Sequence, residues 1–196
     1  MNKQEQLQKL NDEMAYSCTC ELKKTATNVV PGQGSADADI LLIGEAPGKN
    51  EDLQGKPFIG AAGKFLEEML GSIGLSREDV YITNTVKYRP PKNRDPLPEE
   101  VVACWPWLSA QVELIDPKLI VLLGRHAMNR FVPGKKISED HGKVFVHTVD
   151  GLGTRDFFVL YHPAAALYQG SLRKTLIKDF QKIPKIVEKI KKRKKK

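Results

Sequence analysis

The sequence predicts an α/β domain of three layers, αβα, around a central four-stranded parallel sheet. Two observations carry this. Four short runs, at 40–43, 80–83, 119–123 and 157–160, are apolar or nearly so without alternation, the pattern of strands buried on both faces. Segments with helical spacing of apolar residues separate them, and strand–helix alternation builds a parallel sheet covered by helices.

Each element has its own signal. Residues 1–27 read as an amphipathic helix and a polar connector that holds Cys18 and Cys20. VVPGQGSADAD is turn-rich and leads into the first strand, which Gly44 closes. Apolar positions 61, 62, 65, 66, 69, 70 and 73 predict a helix over 61–75. A second long helix is predicted over 98–115, bent or broken by Pro106. After the third strand come a short helix near 125–131 and an edge hairpin around 143–149. A last helix from about Ser171 frays into a lysine-rich tail, so the expected organisation is a domain over 1–180 and a basic tail over 181–196.

A chain of 196 residues with 41% apolar and 28% charged residues is one domain that buries its own core, not a disordered segment. Three cysteines do not make a disulfide framework and fit a reducing compartment. No apolar run is long enough for a membrane span, and MNKQEQLQKLNDEM has no apolar signal core; a cytoplasmic, membrane-free monomer is expected. The net charge of +7 is uneven: residues 180–196 hold nine basic residues and one acid, so the remainder is slightly acidic. Such a tail either contacts a polyanion or only aids solubility.

In parallel sheets, ligands bind beyond the carboxyl ends of the strands. The segments there are GEAPG (44–48), NTVKYRPP (84–91), GRH (124–126) and HPAAAL (162–167), which should bring Glu45, Asn84 and His162 to one rim. GEAPG lacks both the dinucleotide fingerprint and a Walker lysine, and reads as a rigid turn whose backbone approaches a flat ligand. The glycines and prolines of 51–63 read as a loop that holds Phe58 at a fixed angle, the alternative being a plain core phenylalanine. His162 is held extended by Pro163 and suits a cleft, whereas His126 and His141 read as ordinary surface or core residues and His147 as an edge-strand residue.

Four segments together, GEAPGKNEDLQGKPFIGAAG (44–63), YITNTVKYRPPKNRDP (81–96), CWPWLSAQ (104–111) and YHPAAAL (161–167), resemble the family 4 uracil-DNA glycosylases. The resemblance implies hydrolysis of the N-glycosidic bond of uracil in DNA, a base-excision repair step that needs the nucleotide flipped out of the stack. It implies Glu45, Glu51 and His162 as catalytic groups, with the choice of water-positioning carboxylate open between the two glutamates. Gly44, Ala46, Phe58 and Asn84 would bind the base. Arg89, Arg94, Pro163 and Leu167 would contact DNA, Leu167 as the wedge that fills the vacated gap. The rival readings are a glycosylase for other deaminated bases and a non-catalytic DNA-binding relative.

The family also holds a [4Fe–4S] cluster on four cysteines. By resemblance, Cys20 and Cys104 match two ligand positions, while Ser17 and Tyr88 stand at the other two, with Cys18 one place from the first. The standard cluster is therefore expected to be absent or defective, the space being closed by Tyr88 and its neighbours.

Overall fold

The computed structural model describes residues 1–194. In chain order the elements are α1 (Lys3–Ser17), β1 (Gln33–Gly34), β2 (Ile40–Gly44), α2 (Lys49–Gln54), α3 (Ala61–Gly71), β3 (Tyr81–Asn84), α4 (Pro98–Ile115), β4 (Leu119–Leu123), α5 (Arg125–Phe131), α6 (Ile137–Asp140), β5 (Val144–Val149), β6 (Gly153–Leu160), α7 (Ala165–Tyr168), α8 (Gly170–Phe180) and α9 (Ile183–Lys194).

The strands form one sheet in the order β1-β3-β2-β4-β6-β5. Its four central strands, β3, β2, β4 and β6, are mutually parallel, and these are the four apolar runs. Two antiparallel edge strands, β1 on β3 and β5 on β6, extend the expected four-stranded sheet to six. β1 has only two residues, too few for a periodicity signal. The predicted hairpin around 143–149 is the β5–β6 pair.

Strand alternation divides the core in two. On one face Leu42, Val121 and Phe158 pack with Phe65, Leu66 and Met69 of α3 and with Leu176 and Phe180 of α8. On the other, Leu41, Ile43, Ile120 and Val159 meet Leu7 of α1, Leu108 and Val112 of α4, and Met128 and Phe131 of α5. Across the latter layer runs a buried polar chain. Lys87 Nζ donates to Gln111 Oε1 (2.8 Å) and Thr83 Oγ1 (2.5 Å), and Gln111 Nε2 donates to Asn11 Oδ1 (2.7 Å) and the Tyr81 hydroxyl (3.2 Å). The wholly buried lysine thereby keeps partners for its ammonium, although burial pulls its pKa down to about 7.

Two expectations need correction. Pro106 does not interrupt α4, which runs unbroken from Pro98 to Ile115; the carbonyl that its missing N–H would have paired belongs to Val102, an exposed residue whose backbone water can serve. Nor is the lysine-rich segment a free tail. α8 ends at Phe180, and α9 starts at Ile183 with Pro184 in its first turn, where a missing N–H costs no intrahelical bond. Ile183, Val187 and Ile190, at helical spacing, are buried in the α3–α8 layer. Lys195 and Lys196, the end of the expected tail, lie outside the described residues.

Candidate functional site

The parallel strands β2, β3, β4 and β6 all end on one edge; the loops after β2, β3 and β6 wall a cavity of about 270 Å³, and the loop after β4 lines an adjoining pocket that shares Glu45 and His162 with it. The lining of the cavity includes Glu45, Ala46, Glu51, Phe58, Asn84 and His162. The volume suits one small ring and lies at the low end for ligand sites. Gly44 and Asn84 are paired across β2 and β3. The loops stay together because Thr85 N donates to Gly44 O (3.0 Å) and Val86 N to Glu45 O (3.2 Å).

Asn84 is only 2% exposed, and its Oδ1 has no hydrogen-bond partner among the described residues. A buried amide oxygen left unpaired costs about 1–3 kcal/mol, which a ligand N–H recovers. Gly44 must be glycine here: a Cβ would lie 2.5 Å from that same oxygen and 2.6 Å from the Phe58 ring.

Phe58 has φ +52°, a left-handed backbone that costs a non-glycine residue about 1–3 kcal/mol. Its surroundings impose it. Arg77 Nη1 donates to Phe58 O (2.8 Å), and Glu51 Oε1 accepts from Ile59 N (3.0 Å) and Gly60 N (2.8 Å). Gly63 leaves room, since a Cβ there would collide with the Phe58 carbonyl at 1.7 Å. The aromatic ring is thus a fixed wall, and one oxygen of Glu51 is committed to holding it.

His162 lies across the cavity, its ring stacked on Phe58 (centroids 5.5 Å apart, 27° between planes). Burial pulls its pKa down to about 4, against a smaller opposing effect of Glu51, so the ring is neutral at neutral pH. Ala164 N donates to Nδ1 (3.2 Å), which makes Nδ1 the acceptor and leaves Nε2 to carry the proton. Behind it, Gly124 (φ +91°) leaves only the space of a hydrogen: an added Cβ would come within 3.0 Å of His162 Cβ.

Glu45 differs from Glu51. Burial raises its pKa and Asp95 adds to that, while His126 and Arg125 oppose. His126 Nε2 lies 3.6 Å from Glu45 Oε2 and 3.3 Å from Asp95 Oδ2. Reading the sequence as an ordinary surface or core histidine missed this residue. No local motif marks it; its sole signal was its place three residues beyond the end of β4.

The residues expected to touch DNA are distributed unevenly. Arg94 lines the cavity, but its guanidinium is engaged by buried Glu100 (Nη1 to Oε2, 2.9 Å). Arg89 lies beside it, donating from Nε to Asn93 Oδ1 (2.7 Å). Pro163 is buried, which leaves it no surface for a phosphate contact. Leu167, in α7 just beyond the His162 loop, is exposed.

Comparison with known proteins shows the family. The model of the uracil DNA glycosylase superfamily matches residues 31–191. A type-4 uracil-DNA glycosylase of Archaeoglobus fulgidus is 53% identical over 84% of this chain and 84% of its own. The type-4 enzymes of Saccharolobus solfataricus and Thermotoga maritima are 47% and 43% identical, over 88% and 96% of this chain and 82% and 99% of theirs. The chain belongs to the type-4 uracil-DNA glycosylases.

Type-4 glycosylases imply a four-cysteine cluster, and the residues of this chain do not fit one. Cys18, Cys20 and Cys104 are free and buried in one apolar cluster with Met14, Leu22, Val86 and Tyr88. Ser17 is exposed and turned away. The Tyr88 hydroxyl donates to Met14 O (3.3 Å), and burial, with the surrounding thiols, pushes the phenol above its usual range, which makes it a poor anionic ligand. The sulfurs find protein partners: Cys18 donates to Ala103 O (3.9 Å), Cys20 to Glu100 O (3.8 Å), and Cys104 accepts from Lys87 N (3.4 Å). Hydrogen bonds with Cys18 and Cys20, and then burial, push the Cys104 thiol up, while the same bonds push Cys18 and Cys20 down, so the three thiols hold their protons as one set.

Proposed function

We infer that this type-4 glycosylase removes uracil from DNA by hydrolysing the bond between base and deoxyribose, leaving an abasic site. The observation that carries the reading is the unpartnered Asn84 oxygen, buried in a cavity sized for one ring and walled by Phe58. Uracil presents an N3–H donor beside the O4 acceptor. A single amide answers both, its oxygen taking N3–H and its NH₂ giving to O4. Cytosine reverses the pair and would leave donor against donor.

In this reading the nucleotide leaves the stack, its base rests on Phe58, and the backbone of Gly44 to Ala46 completes the contact. As the glycosidic bond lengthens, negative charge gathers on uracil O2 and positive charge on the sugar. His162 Nε2–H, on a neutral ring with a fixed tautomer, donates to O2. Donors aligned in advance of the charge are worth about 3–4 kcal/mol. Glu45, whose carboxylate is not spent on the Phe58 loop, faces the sugar cation and orients the attacking water; Glu51 supports Phe58. Leu167 would fill the gap in the stack, and Arg89 would meet phosphate.

We further propose that the three thiols and Tyr88 form a metal-free packing unit in place of the standard cluster. It is supported by the missing ligands and by the internal partners of the sulfurs.

The deciding experiment is alkali-dependent cleavage of an oligonucleotide with one uracil, run beside oligonucleotides with hypoxanthine or xanthine. Cleavage at uracil alone is the expected result. Preference for a purine would replace the uracil assignment with another deaminated base, and no cleavage would leave a DNA-binding relative.

A further inference from the structure

Gly124 turns the chain at the end of β4 and packs against His162, so Arg125 and His126 open α5 on the rim of the cavity. Around His126 Nε2 gather three charged groups: Arg125 Nε at 3.0 Å, Asp95 Oδ2 at 3.3 Å and Glu45 Oε2 at 3.6 Å. Arg125 Nη2 closes the ring of contacts by donating to Asp95 Oδ2 (3.1 Å). His126 and Glu45 are each about three-quarters shielded from water, which strengthens these interactions.

We propose that His126 is a positioning residue for Glu45, bridging it to Asp95 so that the carboxylate stays ionised and turned toward the sugar. The proposal rests on the uracil-excision reading, in which Glu45 faces the developing cation.

Charge counting gives the reason. Two carboxylates against one guanidinium leave a net negative charge at the rim, and a protonated imidazole cancels it. In that form Nε2–H points between Asp95 and Glu45. The neutral ring with its proton on Nε2 makes the same contact, whereas with the proton on Nδ1 alone Nε2 accepts from Arg125 Nε–H. The bridge to Glu45 therefore needs a proton on Nε2. The ionisable groups that bear on Glu45 are His126, Asp95 and Arg125, and His126 also bears on His162. Without His126, Glu45 would face Asp95 with only the guanidinium to offset the repulsion, and its burial would favour the protonated, inactive acid. The same three ligand atoms lie within 4.8 Å of one another. The Arg125 guanidinium, 3.0 Å from Nε2 and donating to Asp95, sets a positive charge against the place a cation would take, so an internal ion-pair bridge fits better than a metal site.

The test is single-turnover excision from a uracil oligonucleotide as a function of pH, for wild type, H126A, H126Q, D95N and E45A, with DNA affinity and thermal midpoint measured for each. H126A should excise about ten- to a hundredfold more slowly, the usual cost of misplacing a reacting group, with DNA affinity unchanged within about twofold. Its acid limb should move to higher pH, because a group that lowers the Glu45 pKa is gone; D95N should move the limb to lower pH. H126Q restores part of the rate through its amide donor but leaves the limb displaced. A folded H126A with the wild-type rate and limb overturns the proposal. If E45A excises normally, the role of Glu45 fails with it; if wild type does not excise uracil, the functional reading itself has failed. An impaired E45A beside an unchanged H126A removes the His126 role alone.

Discussion

In the proposed reading Asn84 selects the base and His162 assists bond cleavage, and single substitutions separate the two duties. Asn84→Ala removes the amide proposed to tell uracil from cytosine; kcat/KM on uracil should fall by two to three orders of magnitude, about 3–4 kcal/mol, with discrimination against cytosine lost. His162→Ala should slow bond cleavage by a similar factor while leaving base choice intact. Steady-state kinetics on paired uracil and cytosine substrates checks both, and normal turnover in either variant removes the assigned role. His162 also makes stability sensitive to acid. Its folded pKa, about 4, lies below the value of about 6.5 expected in the unfolded chain. The unfolded state therefore binds the proton first. The contribution of the neutral ring is fully present above about pH 6.5 and is lost as pH falls toward 4, at most roughly 3 kcal/mol. Urea midpoints across that window should drop less in His162→Gln than in wild type; parallel curves would contradict the burial argument. His162 and Asn84 were legible from their places at strand ends. His126 was not, because its meaning depends on Asp95 and Glu45, which only the folded chain brings to it.

The elements differ in how plainly the sequence announces them. The four central strands each hold an apolar run that could be read directly, although β3 ends in Thr83 and Asn84 and β6 begins with a polar half. The edge strands could be read only in part: β5 was visible as part of a hairpin, while β1 is held by its pairing to β3. α9 was misjudged because nine cations hid a helical stripe of Ile183, Val187 and Ile190. Placing that stripe in the core changes what a truncation means. Deleting 185–196 removes buried Val187 and Ile190 along with the charge, so it cannot isolate a DNA contact. Ile190→Ala should cost about 2–4 kcal/mol in chemical denaturation, as for other large-to-small core changes; a loss under about 0.5 kcal/mol would argue against the packing. Exchanging Lys185 and Lys189 for glutamine leaves the stripe intact. If α9 meets DNA, this double variant flattens the salt dependence of binding by up to about two phosphate equivalents, and an unchanged slope assigns α9 to stability alone.

Over the whole molecule, the cavity lies where strands end, whereas the last helix is fastened where they begin. Lys191 pairs with Asp39, before β2, and Arg193 with Asp156, in the first half of β6. Any DNA contact of α9 would thus be separate from the one at the cavity mouth. The third cluster, around Cys18, Cys20, Cys104 and Tyr88, joins the end of α1 to α4 and to the loop after β3. Iron and sulfide assays on anaerobically purified protein should find well under one iron per chain, with no visible absorption band. Stoichiometric iron with acid-labile sulfide would show that Cys18 and a rearranged fourth ligand rebuild the site. That the ligand set was altered could be read from residue identity; how the thiols satisfy one another could not, since it depends on carbonyls of α4 that no sequence pattern exposes.

The backbone of Phe58 has a consequence for the order of events. The contacts that impose its costly conformation, from Arg77 and Glu51, are all internal to the chain and call on no DNA. An extruded base therefore meets a finished platform. Encounter should be limited by how often the nucleotide swings out of the duplex, not by rearrangement of the enzyme, so mismatched and unpaired uracils would be captured fastest.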